Sequence, residues 1–234
     1  MKKVIKQDTI KVNINKQTTD SFWLAALLAI SGGYMDAYSY LARGGVFANA
    51  QTGNMVLLGI GVIQGRILET SKYLIPIIAF VAGILVAELI QNKFNTLKRT
   101  DWRQLVLFIE ILAIIVAAFL PIGSMNTAAN TLISFVSALQ MQSFRHVNGN
   151  AFTSTMCTGN LRSGTESLYQ YVFKGNKAMK NNWMQYYGIN LIFILGAGVG
   201  AWATYEWGQY AIFGCCLLLT VAVWKIHRQS TITS

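Results

Sequence analysis

Thr52-Gly53-Asn54 and Thr158-Gly159-Asn160 are the same tripeptide, 106 positions apart, and each follows a hydrophobic stretch. Threonine and asparagine side chains accept hydrogen bonds from the free N–H groups at a helix start. Glycine between them lets a ligand or a second helix come close. Each motif therefore reads as the start of a short helix. Inside a membrane, such a start offers free N–H donors and a partial positive charge, which suits an anionic group such as a carboxylate. The alternative is a capped turn that packs two halves of the chain together. The repetition at one offset is what gives the tripeptide its specificity.

Asp36, in Gly32-Gly33-Tyr34-Met35-Asp36-Ala37-Tyr38, is the next candidate. It lies 13 residues beyond Trp23, which is roughly 20 Å at the rise of an α-helix. An ionisable group at that depth is costly and faces a cavity or a partner. Its chemistry would be proton coupling or cation binding, and a structural hydrogen bond to a neighbouring helix is the alternative. Met35 and Asp36 match Met141 and Gln142 at the same 106-residue offset. Gln142 is therefore the counterpart of Asp36. Arg145 and His146 are expected later in the same span, with Arg145 near Glu110, a second candidate for coupling, or snorkelling to the interface. Glu88, close to Lys93, reads as interfacial. The expected solute-binding set is Asp36, Asn49, Thr52, Gly53, Asn54, Gln142, Arg145, Thr158, Gly159 and Asn160.

These residues need a membrane scaffold, and the composition supplies one. Hydrophobic residues make up 53% of the 234 and charged residues 12%, about half the share in a soluble domain. Six apolar runs are expected to span the bilayer: Trp23 to Leu41, Tyr73 to Ile90, Leu105 to Leu120, Ala128 to Phe144, Tyr186 to Ala203, and Tyr210 to Trp224. The first twenty residues are polar and carry five lysines, so the first run reads as a permanent span rather than a cleaved leader. The stretches starting at the two tripeptides, Thr52 to Gly65 and Thr158 to Phe173, are read as short helices that do not cross.

The net charge of +10 is divided among short segments between apolar runs, as expected for a membrane protein's cytoplasmic face and not for a nucleic-acid footprint. Six spans put Lys93 to Arg103, Arg162 to Lys180, and Lys225 with Arg228 on the side of the lysine-rich N-terminus. Only the region of Arg43, Arg66 and Lys72 is mildly positive on the other side. Each half then holds three spans, so the second is inverted relative to the first. The expected organisation is a cytoplasmic tail (1–20), a first membrane repeat (21–126), a second (127–228) and a cytoplasmic C-terminal tail (229–234). Gly196, Gly198, Gly200, Gly61 and Gly65 read as close-packing positions. Trp183, Tyr186, Tyr187, Trp207 and Tyr210 read as interfacial belts.

No phosphate loop, metal pair or nucleophile elbow is present, and the three cysteines, Cys157, Cys215 and Cys216, lack metal-like spacing. No enzyme, cofactor or metal is expected. Gly33-Tyr34-Met35-Asp36-Ala37, Phe47 and Thr52-Gly53-Asn54-Met55 resemble the pattern of the YoaK family, also called DUF1275. Met141-Gln142-Ser143 and Thr158-Gly159-Asn160-Leu161 resemble that family's second-half pattern, with Ser143 where the pattern has Asn. The resemblance covers about residues 20 to 227 and implies a bacterial inner-membrane protein. The residues themselves point to an all-α integral membrane protein that moves a small solute, coupled to H⁺ or a cation through Asp36. The open alternatives are a channel built on two opposed half-helices and a non-transporting protein that binds a lipid or partner. Expected partners are the bilayer and a small solute; a homo-oligomer is compatible.

Overall fold

The computed structural model describes residues 22–94, 102–144, 146–147, 150–151 and 157–232. They are helical almost throughout. In chain order the helices are α1 (Phe22–Ala42), α2 (Gln51–Ile63), α3 (Ile67–Phe94), α4 (Trp102–Phe119) and α5 (Asn126–Ser143). Two-residue strands β1 (His146–Val147) and β2 (Asn150–Ala151) follow, then α6 (Cys157–Phe173), α7 (Lys180–Trp207) and α8 (Phe213–Ile232). The two tripeptides fall in the shorter helices α2 and α6, of 13 and 17 residues. Thirteen residues of helix rise only about 20 Å, short of a hydrocarbon core of about 30 Å.

Three helical stretches among the described residues are long and apolar enough to cross a membrane: Ile67–Lys93, Trp102–Phe119, and Lys177–Arg228, which contains α7 and most of α8. The chain is a membrane protein. α1 and α5 are 21 and 18 residues long but more polar, and the reason is visible in their burial. Ser31, Asp36 and Ser39 of α1, and Asn130, Ser134, Ser137 and Gln140 of α5, are all buried. These two helices hold the polar interior. α3 and α7 show the opposite pattern, with Leu85, Leu89, Leu191 and Ile194 exposed.

The packing pairs the halves crosswise. α1 lies mainly on α7 and α3 on α5; α2 rests on α3 and α6 on α7; α4 joins α5 to α8. Glycines set the two crosswise contacts. A Cβ on Gly196 would lie 2.3 Å from the Ile30 carbonyl oxygen, and one on Gly83 2.3 Å from that of Phe135. Without hydrophobic drive between helices in lipid, such close backbone approach supplies the van der Waals contact that holds them. Gly83 and Gly196 are 113 positions apart, not 106, and so are the first residues of the two 28-residue helices α3 and α7. The seven extra residues lengthen α6 and its connection to α7, so the register of the repeat shifts by about two turns behind the second tripeptide.

Several expectations are corrected. α5 ends at Ser143, where Phe144 leaves helical geometry (φ −120°, ψ 54°). His146 therefore lies in β1 and not in the span, because the chain turns back there on extended backbone. Arg145 lies outside the described residues. Gly65 is a turn residue with φ +74° and not a packing position, and Gly198 has no neighbour a Cβ would meet. Tyr186 packs inside, with Ala25, Ala26 and Ile189, rather than in an interfacial belt.

These contacts give a paired expectation. Gly196→Ala should lower the stability of the detergent-purified chain by about 1–3 kcal/mol, the usual cost of overpacking. Gly198→Ala should leave it unchanged or raise it. Equal melting temperatures for the two variants would contradict the close packing of α1 on α7.

Candidate functional site

After α1 the chain reverses over residues 43–50, and this reversal brings Asn49 and Ala50 back to Asp36. One Asp36 carboxylate oxygen, Oδ1, accepts the backbone N–H groups of Asn49 (2.8 Å) and Ala50 (3.1 Å). Those N–H groups sit at the start of α2, whose N-cap residue Ala50 has no side-chain cap. The expectation that Thr52 and Asn54 cap the helix is thus corrected. Both lie inside the first turn, and the capping charge comes from α1. A carboxylate is well placed there, where the helix dipole and free donors favour negative charge.

Asn54 is buried and fully engaged. Its Oδ1 accepts from the Phe47 N–H (3.0 Å), and its Nδ2 donates to the Phe47 carbonyl (2.6 Å) and to Gln51 Oε1 (2.9 Å). Gly53 leaves room for the Phe47 ring, which a Cβ would meet at 2.6 Å. Gln51 in turn donates from Nε2 to the Ala48 carbonyl (3.0 Å) and to Ser134 Oγ on α5 (3.3 Å). In the second half, Asn160 is also buried and donates to Asn190 Oδ1 on α7 (3.4 Å), whose Nδ2 donates to the Cys157 carbonyl (3.0 Å). The two asparagines of the tripeptides therefore fasten their helices in place.

Between the two helix starts lies a cavity of about 310 Å³. The α2 side contributes Asn49, Ala50, Gln51, Thr52 and Met55, and the α6 side Cys157, Thr158 and Gly159. Phe80 of α3, Met141 of α5 and Phe193 of α7 complete the wall. Phe80 and Phe193 are 113 positions apart, the offset of their helices, so each half supplies one threonine and one phenylalanine. No charged side chain among the described residues lines the cavity. Asn49 is 6% exposed, and neither its Nδ2 nor its Oδ1 has a hydrogen-bond partner among the described residues.

The structure thus brings Asn49, Thr52, Thr158 and Gly159 to the wall. It sets Gly53, Asn54 and Asn160 in the first turns behind it, and Asp36 behind Asn49 and Ala50. Gln142 is elsewhere: its Nε2 donates to Glu88 Oε1 on α3. Glu88 is thereby a partner in the α3–α5 contact and not simply interfacial. Glu110 is buried, and both its carboxylate oxygens accept from Gln140 Nε2, at 2.9 and 3.0 Å. Its described partner is this amide, where Arg145 was expected.

Arg43, read from the sequence only as part of a mildly positive segment, is fully buried. Its Nε donates to Tyr38 Oη (2.8 Å), and its two terminal nitrogens donate to the carbonyls of Leu120 (2.7 Å) and Ala117 (2.8 Å). These carbonyls end α4, where a positive charge is favoured. The Arg43 carbonyl accepts from Asn130 Nδ2 on α5 (2.8 Å). The signal available in the sequence was a lone arginine directly after a span, which reads equally well as a loop charge.

Comparison with known proteins agrees with a membrane protein. Residues 24–224 match a family model described as a protein of unknown function, DUF1275. The UPF0700 transmembrane protein YoaK of Bacillus subtilis (strain 168) is 28% identical over 157 residues, covering 64% of this chain and 68% of that protein. No solved structure matches.

The unpartnered amide yields a test. An orphaned buried polar group costs about 1–3 kcal/mol, and replacing it by an apolar side chain of similar shape removes that cost. Asn49→Leu is expected to melt at or above the temperature of the unaltered chain. A clear drop in melting temperature would mean that the Asn49 side chain holds the fold.

Proposed function

This chain belongs to the DUF1275 family of membrane proteins, and we propose that it is a secondary transporter of a small solute bound between the starts of α2 and α6. The observation that carries the reading is the cavity itself. It is near the lower end of the range of about 300–1,000 Å³ common for small-molecule sites, mostly apolar, and walled by both halves of the chain. A site at a repeat interface, formed by short helices, is the arrangement of many transporters.

In this reading α1, α3, α4, α5, α7 and α8 span the membrane, and α2 and α6 enter without crossing. Three spans in each half invert the second half relative to the first. The exchange of partners, α1 with α7 and α3 with α5, fits a two-fold relation between the halves. In the same reading both termini lie on the cytoplasmic side of a bacterial inner membrane, supported by the positive charge of Lys174, Lys177, Lys180, Lys225 and Arg228.

Coupling to H⁺ or a cation is assigned to Asp36, with Glu110 as a second carboxylate in the bundle. Asp36 is the better placed of the two. Its carboxylate holds Asn49 and Ala50, which line the cavity, so a change in its charge is transmitted to the wall through two backbone hydrogen bonds. Glu110 reaches Gln140 behind α5 and not the cavity.

The test is uptake into proteoliposomes of a radiolabelled panel of amino acids, nucleobases, sugars and amides, with and without an imposed pH gradient. Saturable, gradient-driven uptake is expected, lost on Thr158→Trp, which fills the cavity. Asp36→Asn should abolish the gradient dependence while the protein still folds. Uptake that does not saturate would identify a channel. Gradient dependence that survives Asp36→Asn would remove the coupling role.

A further inference from the structure

Helix starts inside a membrane suit anions, and the two tripeptides alone would make this an acid-binding site. The structure carries a different inference, because the anion at the α2 start is already present. Asp36 Oδ1 takes the Asn49 and Ala50 N–H groups, and both residues line the cavity. A second negative group brought to that end would meet a carboxylate whose donors are engaged. Like charges repel strongly where water is scarce.

The side chains that remain on the wall among the described residues are neutral. Thr52 and Thr158 are exposed there and present hydroxyls, one from each half. Phe80 and Phe193, each half-buried, offer ring surface from α3 and α7. Asn49 is among the residues that line the same space, and its buried carboxamide has no hydrogen-bond partner at either its donor or its acceptor end among the described residues. A ligand group with an adjacent donor and acceptor would satisfy both ends at once, which is where discrimination by hydrogen bonding is strongest.

Resting on the reading of this cavity as the solute site, we propose that it binds an uncharged small molecule with an apolar or aromatic body and a carboxamide-like edge, and that Asp36 is the resident anion that keeps acids out. Asn49 and the two threonines supply the polar contacts, and the phenylalanines supply the apolar ones. Selectivity against acids then comes from α1, through the α2 start, and not from any charged residue on the wall among the described residues.

The test uses the full chain purified in detergent and three probes that share one ring: benzamide (neutral), benzoate (negative) and benzylammonium (positive). Thermal melting and calorimetric titration are the readouts. Benzamide should raise the melting temperature and bind saturably, and the two charged probes should not. Asn49→Leu should fold and lose at least tenfold in benzamide affinity. Asp36→Asn keeps an oxygen acceptor for the two N–H groups but removes the charge, and it should gain at least fivefold in benzoate affinity. Charged probes binding the unaltered chain as tightly as benzamide would overturn the neutral-solute assignment while leaving the cavity a binding site. Benzamide binding untouched by Asn49→Leu would do the same. No binding of any probe would overturn the cavity as the solute site and the proposal with it.

Discussion

A buried carboxylate needs donors, and a helix that starts away from water needs an acceptor. Asp36 and the start of α2 meet both needs at once. Neither would be tolerable alone: the charge would lack solvation, and the N–H groups would lack partners in a place where water is scarce. The hydrogen bonds to Asn49 and Ala50 span the reversal between α1 and α2. They thereby fix where α2 begins and which residues border the cavity. Arg43 has the complementary role two turns further along. It sits on the closing carbonyls of α4, with no carboxylate contact among the described residues. Two buried charges of opposite sign, close in sequence, are thus each matched to a helix end of the right polarity rather than to each other.

The two halves then meet through glycine. Gly196 lets α7 lie against α1, and Gly83 lets α5 lie against α3, so each outer helix packs on an inner helix of the other half. The short helices ride on these outer helices, α2 on α3 and α6 on α7. Their starts face each other across a space to which each half contributes a threonine and a phenylalanine. The buried asparagines of the tripeptides hold the backbone behind that space, and the threonines two residues earlier border it.

Much of this was legible in the sequence. The doubled tripeptide located the two short helices and the space between them, because Thr-Gly-Asn is unusual enough that its repetition implies a shared geometry. Asp36 stood out because an acid deep in an apolar run must have a partner. The capping assignment failed for a physical reason: local spacing reveals caps offered by neighbours in sequence, whereas α2 is capped from α1, across the reversal. The burial of Arg43 was not legible because an arginine at the end of an apolar run looks the same whether it faces water or turns back onto carbonyls. The phenylalanine pair was hidden by the lengthening of α6, which moves the repeat from a 106- to a 113-residue offset. Hydropathy picks out α3, α4 and the stretch that holds α7 and most of α8, and it leaves out α1 and α5, whose polar side chains are turned inward.

The dependence of α2 on Asp36 can be measured by hydrogen exchange of the full chain in detergent, read over residues 47–58. With Asp36 present, the amides at the start of α2 should be protected. In Asp36→Ala that segment should exchange at least tenfold faster, while α4 and α7 keep their protection. Unchanged exchange at Asn49, Ala50 and the first turn of α2 would contradict the claim that this carboxylate fixes the helix start.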